Sequence, residues 1–494
     1  GAVSLSFTIT SEGGELPVTV IGHPTLRTPQ KKAPPNIVLI SLDTLRPDVL
    51  GAYGQSPSPS PRLDHLASEG LRFTRAYSTS SYTLPSHGSM LTGQYPAFHG
   101  AVDVDDKLTP ERSPFLAGIL AEAGYVTAAF TGGGYVSSGY GFGEGFDRYS
   151  LNDPVWAYDA VRGEQLLQTM GWEREFVQMD QLERYGTDRI TNWISSQDDE
   201  TPFFVFLHTY IVHNYAVSRA YQETFDLFDK KGKERPFHHV DRRRFNEGEG
   251  EYLESVREDY MAFYLATVAM ADAFVGNVLD SLEQAGLAEN TLVVVTSDHG
   301  EEFGEHGFFG HGTSLYDATT RIPLIARLPK SEAHSVATPE GSTFDDPVSL
   351  VDLAPWILRL VDLDPDPRMA VVPPLGPDQE NPPARSLLFL ELDTHVSRMS
   401  AVLLDDIKLH VQIGKDGKPI EPERRSLFNL ANDPQETKDV LASHGEEEGL
   451  LRQRLGHLHQ LGEAIVPRDD GEVDLSKVDP ALLQQLKQLG YLDG

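Results

Sequence analysis

Apolar residues along this chain fall into two kinds of run. The first is short and almost unbroken: NIVLISLD at 36–43, PFFVFLH at 202–208 and TLVVVTS at 291–297. Such runs suit strands buried on both faces of a parallel sheet. The second kind recurs at helical spacing. Residues 61–70 form an amphipathic helix with a glycine stop, and 113–124 predict another, with Ser113 as cap and Pro114 in the first turn. The longest helical pattern is 255–285, with Tyr260, Phe263, Tyr264, Thr267, Val268, Ala271, Phe274 and Val275 on its apolar positions. Strands alternating with helices predict an α/β fold with a central, mostly parallel sheet flanked by helices.

The pattern changes at both ends. Residues 1–35 hold short alternating segments and then a proline-bearing polar stretch, read as an N-terminal extension. Residues 36–365 carry the α/β pattern and are the expected catalytic domain. The segment 366–384, rich in Pro, Asp and Asn, reads as a linker. Beyond it, SLLFLEL, SAVLLDD and IKLHVQI alternate apolar and polar positions, so 385–494 is expected to be a small antiparallel subdomain with a helical tail. The mixed-charge stretch 234–257 reads as a solvated insertion.

Charge narrows the function. There are 41 basic against 74 acidic residues, a net of −33. That surface repels nucleic acid, so no nucleic-acid partner is expected, and no run reaches the roughly 20 apolar residues of a membrane span. An anionic substrate would need local positive charge at its site, which a metal ion supplies. The chain has no cysteine, which excludes disulfides, thiolate metal sites and cysteine nucleophiles. Residue 1 is Gly. No signal is visible in this chain, although one could have been removed; a periplasmic or extracellular location is expected ahead of the cytoplasm. Oligomeric state is not legible.

Three features could meet. Asp43 ends one predicted core strand, and Asp298 with His299 ends another. In open α/β sheets ligands bind outside the carboxyl ends of strands, where carboxylate and imidazole can converge on a divalent cation. Thr83 precedes Pro85 in YTLPSHGSMLTG, at a predicted helix start whose N–H groups favour an anion. A strand-end Asp is more often a cap, and Thr83 alone would read as an N-cap. Together they favour a metal site with an activated hydroxyl. His87 reads as orienting Thr83 or capping the helix, His306 and Glu305 as loop wall, and Asp272 as pairing with a core arginine such as Arg321.

These blocks resemble the sulfatase family of the alkaline phosphatase superfamily. NIVLISLDTLRPDVLGAYG, SPRLDHLASEGLRFTRAYSTSSYTLPSHGSMLTGQYPAFHG, TLVVVTSDHGEEFGEHGFFGHGTSLYDATTRIPLIARLP and SLFNLANDPQET match in order and spacing. The resemblance implies an alkaline-phosphatase-like fold with a small C-terminal sheet. It implies a metal bound by Asp43, Thr83, Asp298 and His299, with Thr83 the nucleophile. His213 matches a histidine that contacts the transferred group, and His311 falls where several members have a substrate-binding lysine. His208, His213 and His311 form a candidate second metal site, although one divalent ion is expected. One histidine among oxygen ligands suits manganese or zinc ahead of calcium or magnesium.

Two departures shape the expected activity. Family sulfatases oxidise a Cys or Ser in C/S-x-P-S-R to formylglycine; Thr83-Leu84-Pro85-Ser86-His87 cannot give that aldehyde, so no formylglycine is expected. FTGGG at 130–134 lacks the lysine and histidine that grip sulfate in many members. The resemblance therefore implies a hydrolase of phosphate diesters or phosphonate monoesters working through phospho-threonine, promiscuous toward sulfate and phosphate monoesters. The alternatives are a sulfatase without formylglycine and a phosphoryl-group transferase. Its partners would be small-molecule, glycan or lipid esters.

Overall fold

The computed structural model describes residues 34–151, 179–198, 200–215, 217–225, 227, 257–330, 340–369, 387–394, 397–415 and 418–465. The expected N-terminal extension, most of the linker, the solvated insertion and the tail LLQQLKQLGYL lie outside them.

In chain order the main body contains β1 (Asn36–Leu42), α1 (Pro61–Glu69), β2 (Leu71–Tyr77), α2 (Thr83–Thr92), α3 (Pro96–His99), α4 (Leu116–Glu122), β3 (Val126–Thr131), β4 (Arg148–Leu151), α5 (Met179–Ser195), β5 (Phe203–Thr209) and α6 (Arg219–Thr224). It continues with α7 (Arg257–Gln284), β6 (Thr291–Thr296), β7 (Glu302–Phe303), β8 (Phe309–Gly310), α8 (Asp317–Thr320), β9 (Arg321–Arg327), β10 (Ser342–Phe344), β11 (Val348–Ser349) and α9 (Leu353–Leu360). Then come β12 (Leu387–Asp393), β13 (Ser397–Leu404), β14 (Ile407–Lys415), β15 (Lys418–Asn429) and α10 (Gly445–Ile465).

The main sheet has nine strands in the order β10-β2-β9-β6-β1-β5-β3-β4, with β11 also on β2. Strands β6, β1, β5, β3 and β4 are parallel, and β9 runs against both β6 and β2. The unbroken apolar runs are explained by burial on both faces. In β1, Ile37 and Leu39 enter one core cluster while Val38, Ile40 and Leu42 enter the other. Strands β5 and β6 divide in the same way. Helices α1, α5 and α7 cover the second face, and α4 and α9 the first.

Helix α7 is the one described helix long and apolar enough to cross a membrane, but 72% of its most apolar window is buried inside the protein. It is a core helix. The expected helix at 113–124 begins later, at Leu116 with Phe115 as N-cap residue. The Ser113 N–H instead closes a turn on the Thr109 carbonyl at 2.9 Å, so Ser113 does not cap it. Asp272 does not pair with Arg321. Its carboxylate accepts the N–H groups of Arg62 and Leu63 at 3.1 and 2.8 Å, stabilising the orphan donors of the α1 N-terminus. Arg321 donates to the Thr74 carbonyl instead.

The small sheet is antiparallel, β12-β13-β14-β15, backed by α10. Its link to the main body includes the Glu391 N–H on the Thr79 carbonyl at 2.8 Å, and buried Lys408 paired with Asp317 at 2.7 Å and Glu436 at 3.0 Å.

Candidate active site

The register of the parallel strands places the site. Ser41 lies opposite His208 of β5 and Thr296 of β6, so the three strands end level with one another. Asp43 follows β1 directly, its N–H on the Thr209 carbonyl at 3.2 Å. Asp298 and His299 follow β6 after Ser297. Thr44 turns the chain at φ 60°, a conformation that is strained for a β-branched residue. Tyr264 holds that turn: its hydroxyl donates to the Thr44 carbonyl at 2.7 Å and accepts the Arg46 N–H at 2.9 Å. After His299 the chain passes so close to α8 that a Cβ on Gly300 would sit 2.2 Å from the Ala318 carbonyl oxygen. The Asp-His-Gly triplet therefore ends in glycine for steric reasons.

Asp43, Asp298 and His299 are all fully buried, and one ligand atom from each lies within 4.8 Å of the others. Thr83 begins α2, as the Pro85 signal predicts, and its hydroxyl lies 3.3 Å from His299 Nε2. His299 Nδ1 donates to the Gly300 carbonyl at 2.9 Å. In the neutral ring Nε2 then carries a lone pair. It faces Asp298 Oδ2 at 3.3 Å, so acceptor meets acceptor. Asp298 Oδ1 accepts the His299 and Thr44 N–H groups at 2.9 and 3.3 Å, yet the buried Oδ2 accepts no hydrogen bond among the described residues. Converging buried lone pairs, with only the Thr83 hydroxyl to donate to His299 Nε2 and no donor on Asp298 Oδ2, fit a cation. Burial pushes the Asp298 carboxyl up; positive charge on the His299 and His87 rings, with the His299 N–H, is what brings it below its usual value, and with the rings neutral a cation would supply that charge.

His87 lies under the nucleophile position. Its Nδ1 donates to the Thr83 carbonyl at 3.0 Å and lies 3.5 Å from Asp298 Oδ2, while the Ser41 hydroxyl reaches its Nε2 at 3.0 Å. Burial holds its pKa down, against the pull of Asp298. Lying inside α2, it does not cap the helix N-terminus; its bonds go to the Thr83 backbone carbonyl and the Ser41 hydroxyl. Burial also drives His208 well below the usual histidine value, helped by the nearby His87, His213 and His299 rings.

The remaining histidines join by ring contact. Tyr210 lies 4.6 Å from His208 and 5.4 Å from His213, and His311 lies 5.1 Å from His213 and 4.5 Å from His299, centroid to centroid. The six residues expected to bind metal or act on substrate (Asp43, Thr83, His213, Asp298, His299 and His311) thus belong to one connected group. Glu301 was missed by sequence reasoning: it holds His311 Nδ1 at 3.1 Å and takes the Tyr215 hydroxyl at 3.1 Å. Its position three residues beyond Asp298 was the available signal. Ser41 was hidden inside an apolar strand.

Among the described residues, the only cluster of three or more His, Asp or Glu ligands close enough to share a metal is Asp43, Asp298 and His299. A second site on His208 conflicts with its bonding. Its Nδ1 accepts the Gly132 N–H at 3.2 Å, so its proton sits on Nε2, 3.3 Å from Asp43 Oδ2. His306 and Glu305 form loop wall: His306 bonds Glu302 and the Gln435 carbonyl, both at 2.8 Å, and Glu305 pairs with Arg46 at 2.7 Å. A cavity of about 710 Å³ between α5 and α7 borders the group at His208 and Thr209 without reaching Thr83.

The family profile described as Sulfatase matches residues 35–363. The N-acetylglucosamine-6-O-sulfatase of Bacteroides thetaiotaomicron is 24% identical, the match covering 95% of this chain and 94% of that protein. Phosphonate monoester hydrolase of Agrobacterium radiobacter superposes with TM-score 0.66 at 18% identity, covering 87% of this chain and 96% of its own. The phosphonate monoester hydrolase of Silicibacter pomeroyi gives TM-score 0.64 at 20% identity, covering 86% and 95%. With the fold shared and the profile spanning most of the sequence, this chain belongs to the Sulfatase family of hydrolases.

Proposed function

We propose that the chain hydrolyses phosphate diesters or phosphonate monoesters through a covalent phospho-threonine at Thr83. The observation that carries this reading is the threonine itself. By motif resemblance it stands at the family's nucleophile position, it cannot become the aldehyde, and its hydroxyl lies 3.3 Å from His299 Nε2 at the start of α2. A threonine ester must be opened by attack on its central atom, which phosphorus tolerates far better than sulfur does.

Asp43, Asp298, His299 and Thr83 would hold the divalent cation, with manganese or zinc the expected occupant. When bound it supplies positive charge for the anionic ester and lowers the pKa of the hydroxyl beside it. Thr83 gives up its proton to solvent and attacks phosphorus in line; the new P–O bond forms as the bond to the leaving oxygen breaks, and that oxygen leaves as the alcohol once protonated. The α2 N-terminus favours the anion. His311, held by Glu301, steadies the equatorial oxygens or protonates the leaving group, with His213 beside it. Water then cleaves the phospho-threonine. The FTGGG loop offers no side-chain cation, which favours a singly charged substrate over a dianion.

The test is a panel of aryl esters (phosphate mono- and diester, phosphonate monoester, sulfate) assayed after metal stripping and reloading. The diester or phosphonate should give the highest kcat/KM, and none should turn over without metal. An aryl sulfate favoured tenfold over both would overturn the assignment.

A further inference from the structure

His208 forms no part of the chemistry above, yet it is fully committed. We propose that His208 is a positioning residue that fixes the Asp43 carboxylate for metal binding, its own tautomer being set by the backbone of the glycine loop after β3. The inference rests on the reading of Asp43 as a metal ligand.

His208 is the next-to-last residue of β5, opposite Ser41 in register, and both its side chain and that of Asp43 are fully buried. The Gly132 N–H can only donate, so the 3.2 Å contact makes His208 Nδ1 an acceptor. The ring hydrogen of the neutral imidazole is then on Nε2, directed at Asp43 Oδ2 at 3.3 Å. Two edge-to-face neighbours fix the ring plane: His87 at 4.8 Å and Tyr210 at 4.6 Å. Tyr210 also ties back to the same loop, its hydroxyl on the Gly133 carbonyl at 3.2 Å. The path is continuous from the loop backbone through His208 to Asp43. The loop carries no cationic side chain, but its backbone would still act on the metal site. Partners that orient a ligating carboxylate typically change metal affinity by about 10- to 100-fold.

Two substitutions separate the two bonds. Asparagine can accept from Gly132 but is too short to reach Asp43; glutamine extends an amide N–H to the Nε2 position. Full-length protein stripped of metal is titrated calorimetrically with Mn2+, alongside Asp43→Asn as the control. His208→Asn should weaken Mn2+ binding by about 10- to 100-fold. His208→Gln should stay within about threefold of wild type, a rescue that loss of packing alone would not give. Equal weakening in the two variants, or His208→Asn within threefold of wild type, overturns the proposal. If Asp43→Asn binds Mn2+ as wild type does, the metal-site reading itself fails. If Asp43→Asn loses binding while His208→Asn keeps it, only the role of His208 falls.

Discussion

Asp298 illustrates how one side chain serves two purposes. Oδ1 is tied to backbone N–H groups and fixes the carboxylate, while the buried Oδ2 faces the His299 lone pair. Without a cation this costs stability, because an unsatisfied buried charge is destabilising. In Asp298→Asn the amide would present a donor to His299 Nε2. The metal-free variant is therefore expected to melt no lower than metal-free wild type, though it no longer gains stability when metal is added. Thermal denaturation with and without chelator checks this; a metal-free variant melting several degrees lower would count against the reading. At this scale the sequence was informative where chemistry is carried by rare residues at strand ends: Asp43, Asp298 and His299. It was silent about Ser41 and Glu301, and it offered His208 only as a ligand of a second metal. Their roles depend on which atom of a distant side chain or backbone lies opposite, and strand register settles that only after folding.

Between β6 and β7 the loop that presents Asp298 and His299 is pinned by Arg46. Its guanidinium donates to the Glu301 carbonyl at 2.8 Å and pairs with Glu305 at 2.7 Å. Burial would raise the Glu305 carboxyl, but Arg46, by charge and hydrogen bond, holds it at about 2 against an ordinary 4.5. A depressed carboxylate pKa contributes stability that is present above 4.5 and lost as pH falls through 2. Stability should therefore fall across that window by on the order of 3 kcal/mol for this group, read as a falling melting temperature. Glu305→Gln should lower stability at neutral pH and flatten the drop. An unchanged slope would remove Glu305 from the account. Among elements, the parallel strands β1, β5 and β6 were readable because burial on both faces leaves an unbroken apolar run. The antiparallel β9 was not read: it follows directly on α8, and its direction depends on pairing with β6 and β2. The start of α4 was misread because Ser113-Pro114 mimics a cap, whereas the turn from Thr109 continues past it.

Across the whole molecule the two sheets meet at a buried ionic cluster. Lys408 of β14 has no exposed side-chain surface and pairs with Asp317 of α8 and with Glu436. Removing one member of such a cluster leaves charge uncompensated, typically at about 3–5 kcal/mol. Lys408→Met should lower the melting temperature by several degrees, and Glu436→Gln added to it should recover part of the loss; a neutral Lys408→Met would show that the cluster does not hold the sheets together. The alternating pattern of the small sheet was legible from sequence, but this cluster was not, since Asp317 lies 91 residues before Lys408. The acidic balance of 41 against 74 also belongs to this scale. It makes the site's local positive charge decisive for any anionic substrate.

Turnover of Thr83→Ala, with its bound metal quantified in the same preparation, tests the assignment most directly. A variant that still holds metal but loses at least about a thousandfold in kcat on its best aryl ester is the expected result. A metal-loaded variant within about tenfold of wild type would contradict Thr83 as the attacking group.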